Sequence, residues 1–457
     1  MKLNKLLGML AMGLGLIACT DNNLVGNDDQ HVVQKEGSTY VAFALDFNDA
    51  NTRADGTQTN ATEEESYISS AYVIMANGEE IEAIVGMNDT NNEDAGNYYD
   101  TTTKQYLFST SSGNHDFYVV VNPDIPPTEE SSIDDYFQTA TSLDITKIAS
   151  TTANSGEGNF MMSSCQKETF YLKDNVTKEQ AIAGTNGEAD NHFSIEVERV
   201  AAKITMTCEN EILTDGKTQN PTEVGTISNL KFYLQGQATK SYRMANGNLN
   251  LTHNELTYIG SNEIGTSNKN GDGISITIGN NKTAATPVYC LENLQDQYWQ
   301  KNTTYVVLST KFIPKTVVNC QNGTITTNTK TSPESFYVVE SGDLAMNYIL
   351  KSDLETYQQN DKTKLPKGVE SISEEYVNGQ CWFGPIWVGQ SSTALQEGPV
   401  KRNTWYNLAI TSIALPGKSS MPEVETDPEI PLVPDTHVAI TLTVKEWKVV
   451  DRTVSLK

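Results

Sequence analysis

From Tyr67 onward the chain is divided into short runs rich in Thr, Val, Tyr and Ile, each bounded by clusters of Gly, Asn, Asp and Pro. The runs fall at 71–75, 117–121, 193–206, 230–234, 274–278, 305–312, 336–339 and 405–413. β-Branched and aromatic side chains fit a pleated, half-buried surface and the bounding residues supply turns, so the expected class is mainly β. Ala, Leu, Glu and Gln gather near 178–183 and 344–358, which predicts short helices beside the sheets. No fixed period joins the runs, which argues against a propeller or a solenoid.

The two ends of the chain share one pattern. Near the start, Val41, Phe43, Leu45 and Phe47 fall on one face at period two, as in a strand buried on one side. Near the end, Val438, Ile440, Leu442 and Val444 alternate with Ala439, Thr441 and Thr443, so both end strands suit the same groove. A second strand is expected over 447–456, with a bend or bulge where the alternation slips at 448–450; Trp447 is read as its packing anchor. The early strand is followed by a polar gap, 48–66, whose single basic residue is Arg53. Such a composition stays exposed, so the Arg53–Ala54 bond is open to a trypsin-like protease. The late strand is preceded by an acidic stretch holding Pro416, Pro422, Pro428, Pro431 and Pro434. In extended polyproline II form, about 14 residues from Pro422 span on the order of 40 Å, enough to carry the last strands out of their own domain.

A length of 457 residues points to two domains plus processed or linking segments, with the boundary expected in the polar interval 209–226. The net charge of −26 repels phosphate backbones, so nucleic acid is excluded as a partner. Five histidines without a His-x-x-x-His pair, and cysteines without a Cys-x-x-Cys pair, leave no material for a zinc or redox site, so neither metal nor cofactor is expected. Cys165, Cys208, Cys290, Cys320 and Cys381 fit no disulfide framework and read as isolated thiols. Residues 268–273 read as a hairpin turn; they are too short for a calcium loop and lack its closing glutamate. No nucleophile elbow, phosphate-binding glycine loop or metalloprotease motif occurs, so the chain is not expected to be an enzyme.

Residues 1–18 begin with Lys2 and Lys5, followed by an apolar run from Leu6 to Ile17 that is too short for a stable membrane span and fits a signal-peptide core. Leu16-Ile17-Ala18-Cys19 resembles the lipobox of bacterial lipoproteins, in which cleavage before the cysteine is followed by acylation of its thiol.

Taken in order, the segment at Cys19, the Arg53–Ala54 junction, Val197-Glu198-Arg199-Val200-Ala201-Ala202-Lys203, Val400-Lys401-Arg402-Asn403-Thr404-Trp405-Tyr406, Pro431-Leu432-Val433-Pro434-Asp435, Thr441-Leu442-Thr443-Val444 and Trp447-Lys448-Val449 resemble the major fimbrial subunits of Bacteroidales. These are the fimbrillins of type V pili, and the resemblance is closest to the shaft subunit of the short, or minor, fimbriae. It implies two transthyretin-like β-sandwich domains with an N-terminal propeptide and C-terminal donor strands. The expected division is a lipoprotein signal peptide at 1–18, a propeptide with a removable strand at 19–53, domains at 54–210 and 211–421, a Pro-rich linker at 422–435 and donor strands at 436–457. The resemblance also implies a route. A lipoprotein precursor, acylated at Cys19, reaches the outer membrane, and an arginine-directed protease cuts between Arg53 and Ala54. The strand holding Val41, Phe43, Leu45 and Phe47 then leaves, and the strand holding Val438, Ile440, Leu442, Val444 and Trp447 from the next subunit replaces it on the cell-surface fimbria. The implied partners are identical subunits head to tail, anchor and tip subunits, the protease, and a ligand on a host or bacterial surface that supports adhesion or biofilm formation. Two other readings stay open: a tip or anchor fimbrial subunit, and an outer-membrane glycan-binding lipoprotein with Trp299, Trp382, Trp387 and Tyr289 as a sugar platform.

Overall fold

The computed structural model describes residues 38–46, 59–62, 64–90, 96–139, 141–150, 159–184, 190–215, 217, 219–245, 273–279, 286–391, 393–422, 424, 429–433 and 438–448. The signal segment with Cys19, Phe47, the Arg53–Ala54 bond, positions 268–272 and the chain after Lys448 lie outside the described residues.

The chain is mainly β and forms two large sheets, each over its own apolar cluster. Leaving aside three two-residue strands between 141 and 160, the strands up to Arg199 are, in chain order, β1 (Ser38–Asp46), β2 (Thr59–Asn60), β3 (Ala71–Asn77), β4 (Glu80–Gly86), β5 (Tyr98–Asp100), β6 (Gln105–Ser111), β7 (Gly113–Val121), β8 (Met162–Ser164), β9 (Glu168–Leu172) and β10 (His192–Arg199). All except β2 join one sheet in the order β4-β3-β7-β8-β10-β1-β6-β5, with β9 beside β7. The sheet folds over a single core, in which Val85 from β4 and Tyr99 from β5, at opposite ends of that order, pack with Val41, Phe43 and Phe117. Its outer face is covered where Ile74, Tyr118 and Val120 meet Ile133, Phe137, Ile148 and Met244.

The second sheet uses β11 (Ala201–Cys208), β12 (Ile212–Thr214), β13 (Glu223–Gln235), β14 (Val288–Leu291), β15 (Tyr305–Pro314), β16 (Gln380–Trp387), β17 (Thr404–Ala414) and β18 (Val438–Lys448). Its order is β14-β11-β17-β12-β13-β15-β16. β11 and β12 lie end to end along one edge of β17, both parallel to it, and β18 lines the other edge antiparallel. The run 193–206, read from the sequence as one strand, is two strands in two sheets, and the chain passes between them at Val200, ahead of the polar interval expected to divide the domains. Residues 238–244 then cross back, and Ala238, Tyr242 and Met244 pack into the outer cluster of the first sheet.

Between β15 and β16 the chain makes an excursion with its own core of Val318, Cys320, Val339, Ile349, Leu354 and Val369. Helices form at Lys178–Ala183 and Lys351–Tyr357, as composition suggested, and the first opens with a capping box in which Thr177 and Gln180 satisfy each other's backbone amides. The second occupies only the later half of its expected span because Tyr348–Leu350 is taken up in a strand. The five described cysteines form no disulfides. No described helix is long and apolar enough to cross a membrane.

Candidate strand-exchange site

β1 lies inside its sheet, with neighbours along both edges. It runs parallel to β10 from Ala42↔His192 to Asp46↔Glu196 and antiparallel to β6 from Ser38↔Ser111 to Phe43↔Tyr106. Val41, Ala42 and Phe43 are completely buried. The sequence suggested one buried face, but both are covered: Val41, Phe43 and Leu45 face the sandwich core, while Ala42 packs with Leu107, Val176 and Ala181 under the first helix. Phe43 sits among four rings, with centroids at 4.4 Å (Phe117), 5.9 Å (Phe170 and Phe193) and 6.1 Å (Phe108).

The start of β1 is clasped by Asn191, a fully buried residue in the left-handed region at φ 47°. Its side-chain amide donates to the carbonyls of Tyr40 (3.1 Å) and Lys173 (2.9 Å) and lies 2.9 Å from Thr39 Oγ1. Its carboxamide oxygen accepts from the Lys173 amide, and its carbonyl accepts from the Ala42 amide. One Asn thus completes the ladder where β10 has not yet begun. The composition of that loop gave no sign of this role.

The segment after the Arg53–Ala54 bond is held separately from β1. Ala61 is buried in the first core, and the buried Glu65 carboxylate meets Lys203 Nζ at 2.6 Å, the Tyr289 hydroxyl at 2.7 Å and the Thr62 amide at 2.9 Å. Arg199, the last residue of β10, donates to the Glu65 carbonyl from Nε (3.1 Å) and Nη2 (2.9 Å). Burial by itself raises the Glu65 carboxyl, but Lys203, the Thr62 amide and the Tyr289 hydroxyl outweigh it and hold the group below its usual range. Burial brings the Arg199 guanidinium down to about 10, against the nearby Glu65 charge. A parallel junction lies next to it, where buried Arg402 pairs with Glu292 and donates to the Tyr242 carbonyl. Arg199 and Lys203 of the segment 197–203 and Arg402 of the segment 400–406 are therefore buried cations near the point where the chain passes between the two sheets.

The last strand is docked on its own chain. β18 runs from Val438 to Lys448 and pairs with β17 from Ile413↔Val438 to Thr404↔Glu446, so it takes in Trp447 and Lys448, while the rest of the expected bend and second strand lies outside the described residues. Among the described residues its other pairing is with β2, at Thr59↔Trp447 and Asn60↔Lys448. Cover on its apolar face thins along the strand: Val438 is 7% exposed, Ile440 and Leu442 are half-buried against the second core, and Val444 is 43% exposed. The Pro-rich linker is also not a free spacer throughout. Gln300, Gln396 and Trp387 take the carbonyls of residues 430–433, and Leu432 is buried beside Tyr305 and Trp387. The aromatics read as a sugar platform do not all gather in one place: Trp387 is buried in that cluster with Trp382 packed against it, whereas Tyr289 is buried elsewhere, against Phe160 and Glu65.

No curated protein sequence is similar to this one. Among solved structures, a fimbrilin from Porphyromonas gingivalis overlays 92% of this chain and all of its own, at 15% identity and a TM-score of 0.46. The tip fimbrial protein of the same organism, with a C-terminal truncation, overlays 90% of this chain and all of its own, at 13% identity and a TM-score of 0.39. Residues 374–453, which contain β16, β17, the pinned linker and β18, match the family described as major fimbrial subunit protein type IV, fimbrillin, C-terminal. Over that segment the chain is similar to the fimbrillin family.

Proposed function

We propose that the protein is a structural, non-catalytic shaft subunit of a cell-surface fimbria that polymerises when β18 of one subunit replaces β1 of the next. The fimbrillin match supports the fimbrial role. The observation that carries the exchange is the contrast in burial between the two end strands. β1 is paired on both edges and buried on both faces, whereas β18 is paired along one edge and leaves Val444 in solvent. Transfer would give β18 a second ladder and complete the cover of Ile440, Leu442 and Val444. With about 1.5–3 kcal/mol for a fully buried aliphatic side chain, three partly covered residues gain on the order of 2–5 kcal/mol. The intervening residues match as well, Ala439 and Thr441 standing where β1 has Ala42 and Ala44, and Thr443 where it has Asp46. A strand added to paired sheet edges takes its affinity from main-chain bonds and its register from alternate side chains.

In this reading Cys19 carries the lipid of an outer-membrane precursor, and an arginine-directed protease cuts the Arg53–Ala54 bond. The cut frees β1 while Glu65 keeps the new N-terminal segment in place. The contact is head to tail, so it generates an open filament, with anchor and tip subunits at its ends. Treating the non-lipidated precursor, residues 20–457, with an arginine-specific protease tests this by intact mass and gel ladder. Cleavage after Arg53 with oligomers that disappear on deletion of 436–457 supports the proposal; a cleaved chain that stays monomeric overturns it.

A further inference from the structure

The strand that is to leave is preceded by five residues held in a cradle of their own. Four successive carbonyls are taken: Ile430 by the Gln300 amide (2.9 Å), Pro431 by Gln300 Nε2 (3.1 Å), Leu432 by Gln396 Nε2 (3.1 Å) and Val433 by the Trp387 indole (3.0 Å). Lys301 adds an ion pair to Glu429 at 3.6 Å. Leu432 is the one fully covered side chain of the five, at 1% exposure, packed with Tyr305, Val307 and Trp387. Gly398 lies alongside, the Leu432 Cδ1 being at contact distance, 3.6 Å, from where a Cβ would stand on that glycine.

Every named group of the cradle comes from the body of the second domain: the loop at 300–301, Gln396, Gly398, and strands β15 and β16. None belongs to β17 or β2, the two strands that hold β18. Unzipping β18 therefore breaks none of these bonds. Releasing the linker, in contrast, would strip the Trp387 N–H of its acceptor while the ring stays buried. Resting on the strand-exchange reading, we infer that Glu429–Val433 is a fixed mount that remains in its cradle in the fibre, and that the donor strand is presented to a second copy of this chain from Val433.

The consequence is geometric. Five Cα–Cα steps separate Val433 from Val438, and fully extended they span at most about 18 Å. The vacated β1 slot of the neighbour must therefore open within about 18 Å of the donor's Trp387 side of the second domain, not at the roughly 40 Å that an unpinned 14-residue linker would allow.

Hydroxyl-radical footprinting with mass spectrometry, run on the full-length precursor and on the assembled fibre, tests the mount. Val444 reports exchange and should lose its labelling in the fibre, while Trp387 and Leu432 should keep the low labelling they have in the precursor. Loss at Val444 with a joint rise at Trp387 and Leu432 would show that strands exchange but that the linker leaves its cradle, which overturns the mount alone. Unchanged Val444 labelling with no fibre overturns strand exchange and the mount with it. As a second readout, Leu432→Ser should lower fibre yield from a precursor that still folds, and Leu432→Met should restore it; equal yields from all three chains contradict the inference.

Discussion

Phe43→Ala in the precursor separates a permanent core strand from a removable one. The ring is completely buried and surrounded by Phe108, Phe117, Phe170 and Phe193, so truncation leaves a cavity inside the first sandwich. A Phe→Ala change of this kind costs about 3–5 kcal/mol. With a urea dependence of about 2 kcal/mol per molar, the unfolding midpoint of the first domain should fall by about 2 M. If β1 departs on maturation, however, the same substitution is absent from the finished fibre. Fibres grown from the variant precursor should then denature in urea at the wild-type midpoint. Unfolding followed by hydrogen exchange in the first sheet for the precursor, and by loss of the gel ladder for the fibre, gives both numbers. Fibres weakened as much as the precursor would refute the removal of β1, and a precursor shifted by less than about 0.5 M would refute the energetic role assigned to Phe43.

Three further outcomes are expected. Asn191→Ala removes the clasp on Thr39 and Tyr40, so hydrogen exchange across 38–43 should accelerate by one to two orders of magnitude, at a cost of about 1–3 kcal/mol, while the second sheet keeps its protection. Glu65→Gln leaves Lys203 buried without its counter-charge and should cost about 3–5 kcal/mol at neutral pH, measured by urea denaturation. Because the folded Glu65 carboxyl is held below its usual range, the unfolded chain takes up its proton first as pH falls. The contribution of Glu65 is therefore complete at neutral pH and lost as pH drops through the folded value, and the wild-type and variant curves should converge in acid. Val444→Asp, at an exposed position in the precursor, should leave the melting temperature within about 2 °C yet abolish assembly, since the aspartate would have to enter the apolar slot; a normal ladder contradicts the proposed register.

The parts of this fold that show in the sequence are those governed by local pattern. Period-two alternation marked β1 and β18, because a strand with a core on one side must repeat its apolar residues at that interval. What escaped depends on long-range pairing. The run 193–206 reads as a single strand because apolar residues continue through Val200, and nothing local shows that the chain changes sheets there. Proline density predicts an extended linker, but it cannot show that Trp387, Gln300 and Gln396 receive the carbonyls of residues 430–433. Nothing local marks Arg199, Lys203 and Arg402 as buried; their burial depends on Glu65 and Glu292, distant in sequence, reaching the same junction. The sign that could have been weighed is the density of cations inside otherwise apolar stretches, since a charge in such a run needs a partner. Asn191 offered less, an Asn in a polar loop among many.

The central claim, that β18 of one subunit takes the place of β1 in another, is tested most directly with two chains that cannot polymerise alone. An acceptor lacking 436–457 is cut after Arg53, which opens its slot but leaves it no strand to give. A donor carrying Arg53→Ala keeps its slot filled but has β18 intact. Mixed and examined by native mass spectrometry, the pair should form a heterodimer of one copy each, without β1 of the acceptor and without larger species, and neither chain should self-associate. If the acceptor remains free in the presence of excess donor, or binds while still retaining its cleaved β1, strand replacement is not how these subunits join.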